Sequence, residues 1–265
     1  MLFPRAVPSR SMATMAGGTG LHGSLGVVMP VFNEEATIAR IVSQVLARPE
    51  VSQLVIVDDG SCDGSAALIK AAARLDSRVV CRSNGSNRGK GAAVRAGLAE
   101  IHAPYVVVQD ADMEYDPADY PCLVEPMAEG RADVVFGSRF MDRGLLRTSR
   151  WHEAGNRMLT CASTLITGLP LSDEATCYKA FRSDVIPWLD LREDGFGFCP
   201  EFTAKVARLG LKVIEVPVRY AARGVAEGKK LRPWHGIEAL WCLVRYSVGP
   251  FNPPNASVSR HAVAR

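Results

Sequence analysis

The sequence lacks the signatures of several functional classes. Its seven cysteines are odd in number and scattered, with no CxxC pair, and its five histidines show no HxxxH spacing. Neither a disulfide framework nor a zinc site is expected, and a reducing compartment is. No run of about eighteen apolar residues occurs, so no membrane span is expected. The formal net charge is only +3, too small to point to nucleic acid. Met1 to Gly23 holds Arg5 and Arg10 but no acid and no continuous apolar core. That is not a secretory signal; it reads as a disordered tail, a start set upstream of Met12 or Met15, or a transit peptide. The two familiar phosphate loops are also missing. In "NRGKGAAVRAG" (87–97), Asn84 stands where a Walker loop needs its first glycine, Gly91 follows Lys90, and position 94 is Val rather than the last glycine of GxGxxG. An ATPase or a dehydrogenase is therefore disfavoured.

What is present is a core. The 265 residues are 48% hydrophobic and 22% charged, enough for one sizeable α/β domain. Apolar strands are predicted over 25–29, 54–57, 78–82, 105–109 and 132–136. Helical spacing falls between them, over 35–47, 65–75, 89–101 and 118–129. Asn33 is the expected N-cap of the first helix, and Asp116 before Pro117 that of the fourth. Later elements are a helix over 151–165, a strand over 177–181, a helix over 201–209, a strand over 212–218 and a last helix over 236–246. This alternation predicts a mostly parallel sheet covered by helices on both faces. The tail from Gly249 to Arg265 is polar and expected to fray.

Such sheets bind ligands at the carboxyl ends of their strands, and here those ends carry the chemistry: "PVFNE", "DDGSCDGS", "QDADME" and "GSR". Asp110, Asp112, Glu114 and Asp116 crowd the end of one apolar strand. Asp116 is accounted for as a cap. Asp110 and Asp112, two residues apart, can share one side and offer hard oxygen ligands to Mg²⁺ or Mn²⁺. Magnesium usually keeps waters and takes phosphate oxygens, so a di- or triphosphate is the expected ligand. Asp59 can accept hydrogen bonds from a nucleoside, whereas Asp63-Gly64 suits a turn that starts a helix. The glycines and cations of 87–97 suit either approach to an anion or tight packing. "RGVAEGKK" (223–230) suits either a lid or a solvated linker. The last helix, with Leu240, Trp241, Leu243, Val244 and Tyr246, suits either core packing or a membrane interface.

In order and spacing, "PVFNE", "DDGSCDGS", "NRGKGAAVRAG", "DADME" and "GSR" resemble an inverting family 2 glycosyltransferase of GT-A fold. The closer likeness is to dolichyl-phosphate mannose synthase and related polyprenyl-phosphate hexosyltransferases. The resemblance covers about Leu25 to Lys230. It implies a GT-A domain over 24–230, with the helix over 231–248 an appendage and tails over 1–23 and 249–265. It implies a nucleotide-sugar donor such as GDP-mannose or UDP-glucose, a divalent metal and a polyprenyl-phosphate acceptor. A place on the cytoplasmic face of a membrane, as a peripheral protein, follows. Position by position, Pro30, Phe32, Glu34, Val57 and Asp59 would surround the nucleoside, with Phe32 replacing a more usual tyrosine. Asp110, Ala111 and Asp112 would face diphosphate and metal, with Glu114 on the metal side. Arg139, Arg223 and Lys229 fall where the family places phosphate-binding cations. A phosphate acceptor needs no strong base; a hydroxyl acceptor would, and Asp173 and Glu174 are the candidates. A sugar-phosphate nucleotidyltransferase should carry a glycine-rich loop after the first strand, where this chain has "PVFNEE". A non-catalytic nucleotide-sugar sensor would leave the full acidic set unexplained.

Overall fold

The computed structural model describes residues 21–142, 146–147, 150–223 and 234–251. The N-terminal tail before Leu21, Lys229 with most of the 223–230 segment, and the tail after Phe251 lie outside the described residues.

β1 (Leu25–Val31), β2 (Val51–Asp58), β3 (Val79–Ser83) and β4 (Tyr105–Val108) alternate with α1 (Ile38–Leu46), α2 (Ser65–Leu75) and α3 (Lys90–Leu98). α4 (Tyr120–Ala128), β5 (Val134–Ser138), the short β6 (Leu146–Arg147) and α5 (Arg150–Thr167) follow. β7 (Lys179–Arg182), α6 (Ile186–Leu189), α7 (Phe198–Leu209), β8 (Val213–Pro217), β9 (Tyr220–Ala221) and α8 (Trp234–Val248) complete the order.

A seven-stranded sheet runs β3-β2-β1-β4-β7-β5-β8, and β6 pairs with β9 in a separate two-stranded ribbon. β2 shows why both faces are covered. Leu54 and Ile56 join the main core, while Val55 and Val57 pack with Ala93 of α3 on the opposite side. β7 is the one strand of the large sheet that runs antiparallel, to both β4 and β5. Because it lies between them, β5 and β8 regain the direction of β1, β2, β3 and β4. The loops after β1, β2, β4 and β5 therefore open on one edge.

The expected cap Asn33 is not the cap of α1. That helix starts at Thr37, without a side-chain cap. Asn33 instead takes a left-handed backbone (φ 54°), and its Oδ1 accepts the Cys62 N–H at 2.8 Å, tying the β1 and β2 loops together. Asp116 caps a short 3-10 turn, Pro117–Asp119, that leads into α4: its Oδ1 accepts the Ala118 N–H at 2.9 Å, while α4 itself follows Asp119 without a side-chain cap.

The start of α3 is packed backbone to backbone. Gly89 has φ +99°, and a side chain at Gly91 would stand 2.1 Å from the Glu193 carbonyl oxygen. The Ala92 N–H donates to the Asp194 carbonyl at 3.0 Å in the same contact. Gly91→Ala is therefore expected to destabilise the fold by about 1–3 kcal/mol through overpacking against main chain that has no rotamer to give. The shift of the urea midpoint measures it, with Gly155→Ala as a control: it too lies in a helix, without a left-handed φ, and no atom lies near.

Candidate active site

The acidic edge is built from its floor. Gln109, fully buried at the end of β4, accepts the hydroxyls of Tyr120 (2.9 Å) and Tyr178 (2.6 Å) and donates to the Asp110 carbonyl at 2.9 Å. This network fixes where the chain leaves the sheet. Ala111 is buried, so Asp110 and Asp112 project to the ligand edge around it. Met113 then takes a left-handed conformation, φ 64°, rare for a residue with a long side chain. The turn is held by the Asp112 carboxylate, which accepts the Glu114 N–H at 3.1 Å.

Each acid of the dyad faces a cation from elsewhere in the chain. The Lys90 ammonium, from the first residue of α3, lies 2.7 Å from Asp110 and 2.9 Å from the Cys177 sulfur. The Arg223 guanidinium lies 2.9 Å from Asp112 and also donates to both oxygens of Glu34, at 2.9 and 3.1 Å. The two carboxylates respond differently. Burial works against the Asp110 anion, but Lys90 and then Arg223 outweigh it and hold its pKa below the ordinary value. For Asp112 burial comes first, the Asp110 and Glu114 charges add to it, and Arg223 only partly opposes them; its pKa is pushed up to about 6. A proton and a metal ion compete for that carboxylate. The affinity for Mn²⁺ is expected to rise with pH up to about 6, by roughly tenfold per pH unit for a single competing proton, and then to level off. Calorimetric titration of Mn²⁺ between pH 5 and 8 measures it.

Asp110 and Asp112 fit a Mg²⁺ or Mn²⁺ site of the kind completed by phosphate oxygens and water, because both are hard ligands crowded at one strand end. The Glu114 carboxylate accepts the Tyr220 hydroxyl at 2.8 Å and the Arg223 N–H at 2.9 Å, which anchors the chain after β9. Among the described residues no group of three or more His, Cys, Asp or Glu side chains is gathered as a metal site. Glu114, expected on the metal side, is held in this structure by hydrogen bonds to Tyr220 and the Arg223 N–H.

The residues expected around the nucleoside divide in the same way. Pro30 and Phe32 are half-buried at the end of β1, and Glu34 stands beside Arg223. Val57 is wholly buried in the small core against α3, so its side chain has no face toward a ligand. Asp59 is 3% exposed and holds the next loop: its oxygens accept from Asn84 Nδ2 (2.7 Å) and from the backbone N–H of Arg88 (3.1 Å) and Gly89 (2.7 Å). It thus positions the loop that carries Lys90.

Arg139, at the end of β5, and Asp173 meet in a two-pronged pair, with Nε to Oδ2 at 2.6 Å and Nη2 to Oδ1 at 2.7 Å. Asp173 also accepts the Arg139 N–H at 3.0 Å and Asn156 Nδ2 at 3.0 Å, and it is fully buried. The guanidinium carbon lies 4.9 Å from the centre of the Tyr220 ring. Glu174 is buried too; its Oε2 accepts the Ser163 hydroxyl at 2.8 Å, and burial pushes its pKa up to about 7 against the pull of Lys179. Three contacts of this edge escape sequence reasoning: Lys90 with Asp110, Arg223 with Glu34, and Asn156 with Asp173. Each joins residues far apart in the chain, and only the lone cation opening the small-residue helix α3 gives a local signal.

Residues 26–187 match the family model described as Glycosyl transferase family 2. Glycosyltransferase AglJ of Haloferax volcanii is 33% identical over 209 residues, 78% of this chain and 66% of that protein. Undecaprenyl-phosphate 4-deoxy-4-formamido-L-arabinose transferase of Pseudomonas aeruginosa is 32% identical over 210 residues, 77% of this chain and 60% of that protein. Undecaprenyl-phosphate mannosyltransferase of Micrococcus luteus is 30% identical over 212 residues, 76% of this chain and 85% of that protein. The chain thus spans between about three fifths and two thirds of the length of the first two. Among solved structures, glucosyl-3-phosphoglycerate synthase from Mycobacterium tuberculosis, in complex with Mn²⁺, uridine diphosphate and product, superposes with a TM-score of 0.65 at 23% identity. That match covers 86% of this chain and 81% of the other, and it shows the shared GT-A fold.

Proposed function

The chain belongs to glycosyl transferase family 2, and on that premise we propose that it moves a hexose, mannose or glucose, from a nucleotide sugar to a polyprenyl phosphate with inversion at the anomeric carbon. The observation that carries the reading is the pairing of Asp110 with Lys90 and of Asp112 with Arg223 at the end of β4. A divalent metal held by Asp110 and Asp112, Mg²⁺ or Mn²⁺, would supply charge to stabilise the departing diphosphate. Lys90 and Arg223, which flank the two carboxylates, would help to balance the negative charge that grows on the leaving diphosphate. Pro30 and Phe32 offer an apolar floor for a base, and Glu34 turns Arg223 toward the site.

The acceptor class has two supports. Two relatives are named for transfer onto undecaprenyl phosphate. The acids that a hydroxyl acceptor would need as a base are Asp173 and Glu174, and both are buried in hydrogen bonds to other side chains. A phosphomonoester brings its own nucleophile, being largely dianionic above a second pKa of about 6. No helix among the described residues is long and apolar enough to cross a membrane. In this reading the enzyme meets its lipid acceptor at the cytoplasmic face of a membrane.

Thermal-shift screening with GDP-mannose and UDP-glucose, each with and without Mn²⁺, tests donor and metal together. One donor should raise the melting temperature only when the metal is present. No shift from any nucleotide sugar with either metal would overturn the reading.

A further inference from the structure

α8 is apolar on the side it turns away from the protein. Cys242 and Leu243 are buried against the body, and Tyr246 reaches Glu193. Ile237, Leu240, Trp241, Val244 and Val248 face solvent, with Ile237 75%, Trp241 65% and Val248 79% exposed. At 100° per residue these positions fall within an arc of about 100°, with Glu238 and Arg245 along one margin. α5 packs against α8 and carries a second outward stripe, Met158 (76% exposed) and Leu165 (81% exposed) with Cys161 between them.

We infer that the outward face of α8, with that of α5 beside it, docks on a lipid bilayer and sets the catalytic edge at the headgroup level. This rests on the lipid-phosphate reading of the acceptor, whose hydrocarbon tail stays in the bilayer while its phosphate reacts. An aromatic and branched aliphatic stripe bordered by a cation is the composition of an interfacial helix. Arg157 and Arg245 are 68% and 58% exposed on the two helices. Lys229, Lys230 and Arg232 immediately precede α8 in the sequence, and anionic headgroups complement such charge.

The helix is also braced to the acids. Tyr246 and Arg245 of α8 both contact the Glu193 carboxylate. The Glu193 carbonyl accepts from Arg95 and packs on Gly91 of α3. Lys90 of α3 meets Asp110. Docking α8 therefore fixes the height of the acidic edge above the membrane.

Sedimentation with vesicles of phosphatidylcholine containing one-third phosphatidylglycerol tests the inference. The wild-type chain should pellet with them, and Trp241→Glu combined with Val244→Glu should lower the partition coefficient at least tenfold. Met158→Glu with Leu165→Glu should lower it less. All four positions are exposed, and unchanged melting temperatures confirm that the variants fold. Transfer to a short-chain lipid phosphate in detergent should be equal in all of them. If that transfer is absent in every protein while vesicle binding still responds, the acceptor reading fails and the docking face stands. Undiminished vesicle binding by Trp241→Glu/Val244→Glu overturns the inference. So does a wild-type protein that stays in the supernatant, or one that light scattering shows to be a dimer dissolved by these substitutions.

Discussion

Asp112→Asn is expected to lower turnover by about 10²–10³-fold, the loss seen when one charge-stabilising group is removed from a transition state, and to leave the fold intact. The two halves of this result separate a functional acid from a structural one. Burial and the neighbouring Asp110 and Glu114 charges push the Asp112 carboxyl up to about 6. With its folded pKa above the unfolded value of about 3.9, the group favours the fold at low pH, and that contribution is lost as pH rises through about 6. At neutral pH the anion is therefore a cost, and asparagine removes it. Arg223 keeps Glu34 as a partner at 2.9 Å. Stability at neutral pH should therefore be unchanged or raised, and not lowered. Steady-state turnover with Mn²⁺ and a urea melt on the same preparation give both numbers. Wild-type turnover, or a fold lost with the activity, would remove Asp112 from the site.

The opposite pattern is expected at Arg139 and Asp173. Their side chains are 13% and 0% exposed, and the pair is met by Asn156 and by the Arg139 N–H. Asp173→Asn leaves a guanidinium in a desolvated place without its anion, which should cost about 3–5 kcal/mol of stability. Arg131→Ala, which breaks an exposed pair with Glu129, should cost no more than about 1 kcal/mol. Replacing both members, as Arg139→Met with Asp173→Leu, should recover much of the loss, because no lone charge is then buried. Comparison of urea midpoints reads all three. A loss below about 1 kcal/mol for Asp173→Asn would mean that Arg139 finds another anion, and Arg139 would return as a free phosphate-binding cation.

Most elements of the fold were legible because each depends on a local pattern. α2 begins and ends at the residues its apolar spacing predicts, and Asp116-Pro117 caps as a self-contained pair. The direction of β7 was not legible. A strand buried on both faces shows the same short apolar run whichever way it points, and only its neighbours, β4 and β5, reveal that it is reversed. Asn33 was misread because its side chain bonds to a turn in the β2 loop and not to the helix that follows it.

The candidate site was legible as a set of residue types and not as a set of pairs. Asp110 and Asp112 stood out because like charges at a strand end need a counterion. Nothing in their spacing says that Lys90 and Arg223 supply it. Asp59 and Asp173 look like free carboxylates in the sequence; in the fold, backbone N–H groups and Arg139 take them up. The 87–97 loop admitted either tight packing or approach to an anion, and the packing is what the fold displays. Gly91 meets main chain at Glu193 while Lys90, its neighbour, points to Asp110.

The most direct measurement is transfer of labelled hexose from the donor found by thermal shift, with Mn²⁺, to three acceptors in parallel: a polyprenyl phosphate, the matching polyprenol and a free sugar. Label should enter the organic-extractable fraction only with the phosphate, with inverted anomeric configuration, and chelation of the metal should abolish it. Transfer to the alcohol or the free sugar with none to the lipid phosphate would contradict the account and require a catalytic base that Asp173 and Glu174, as they are bonded here, do not provide.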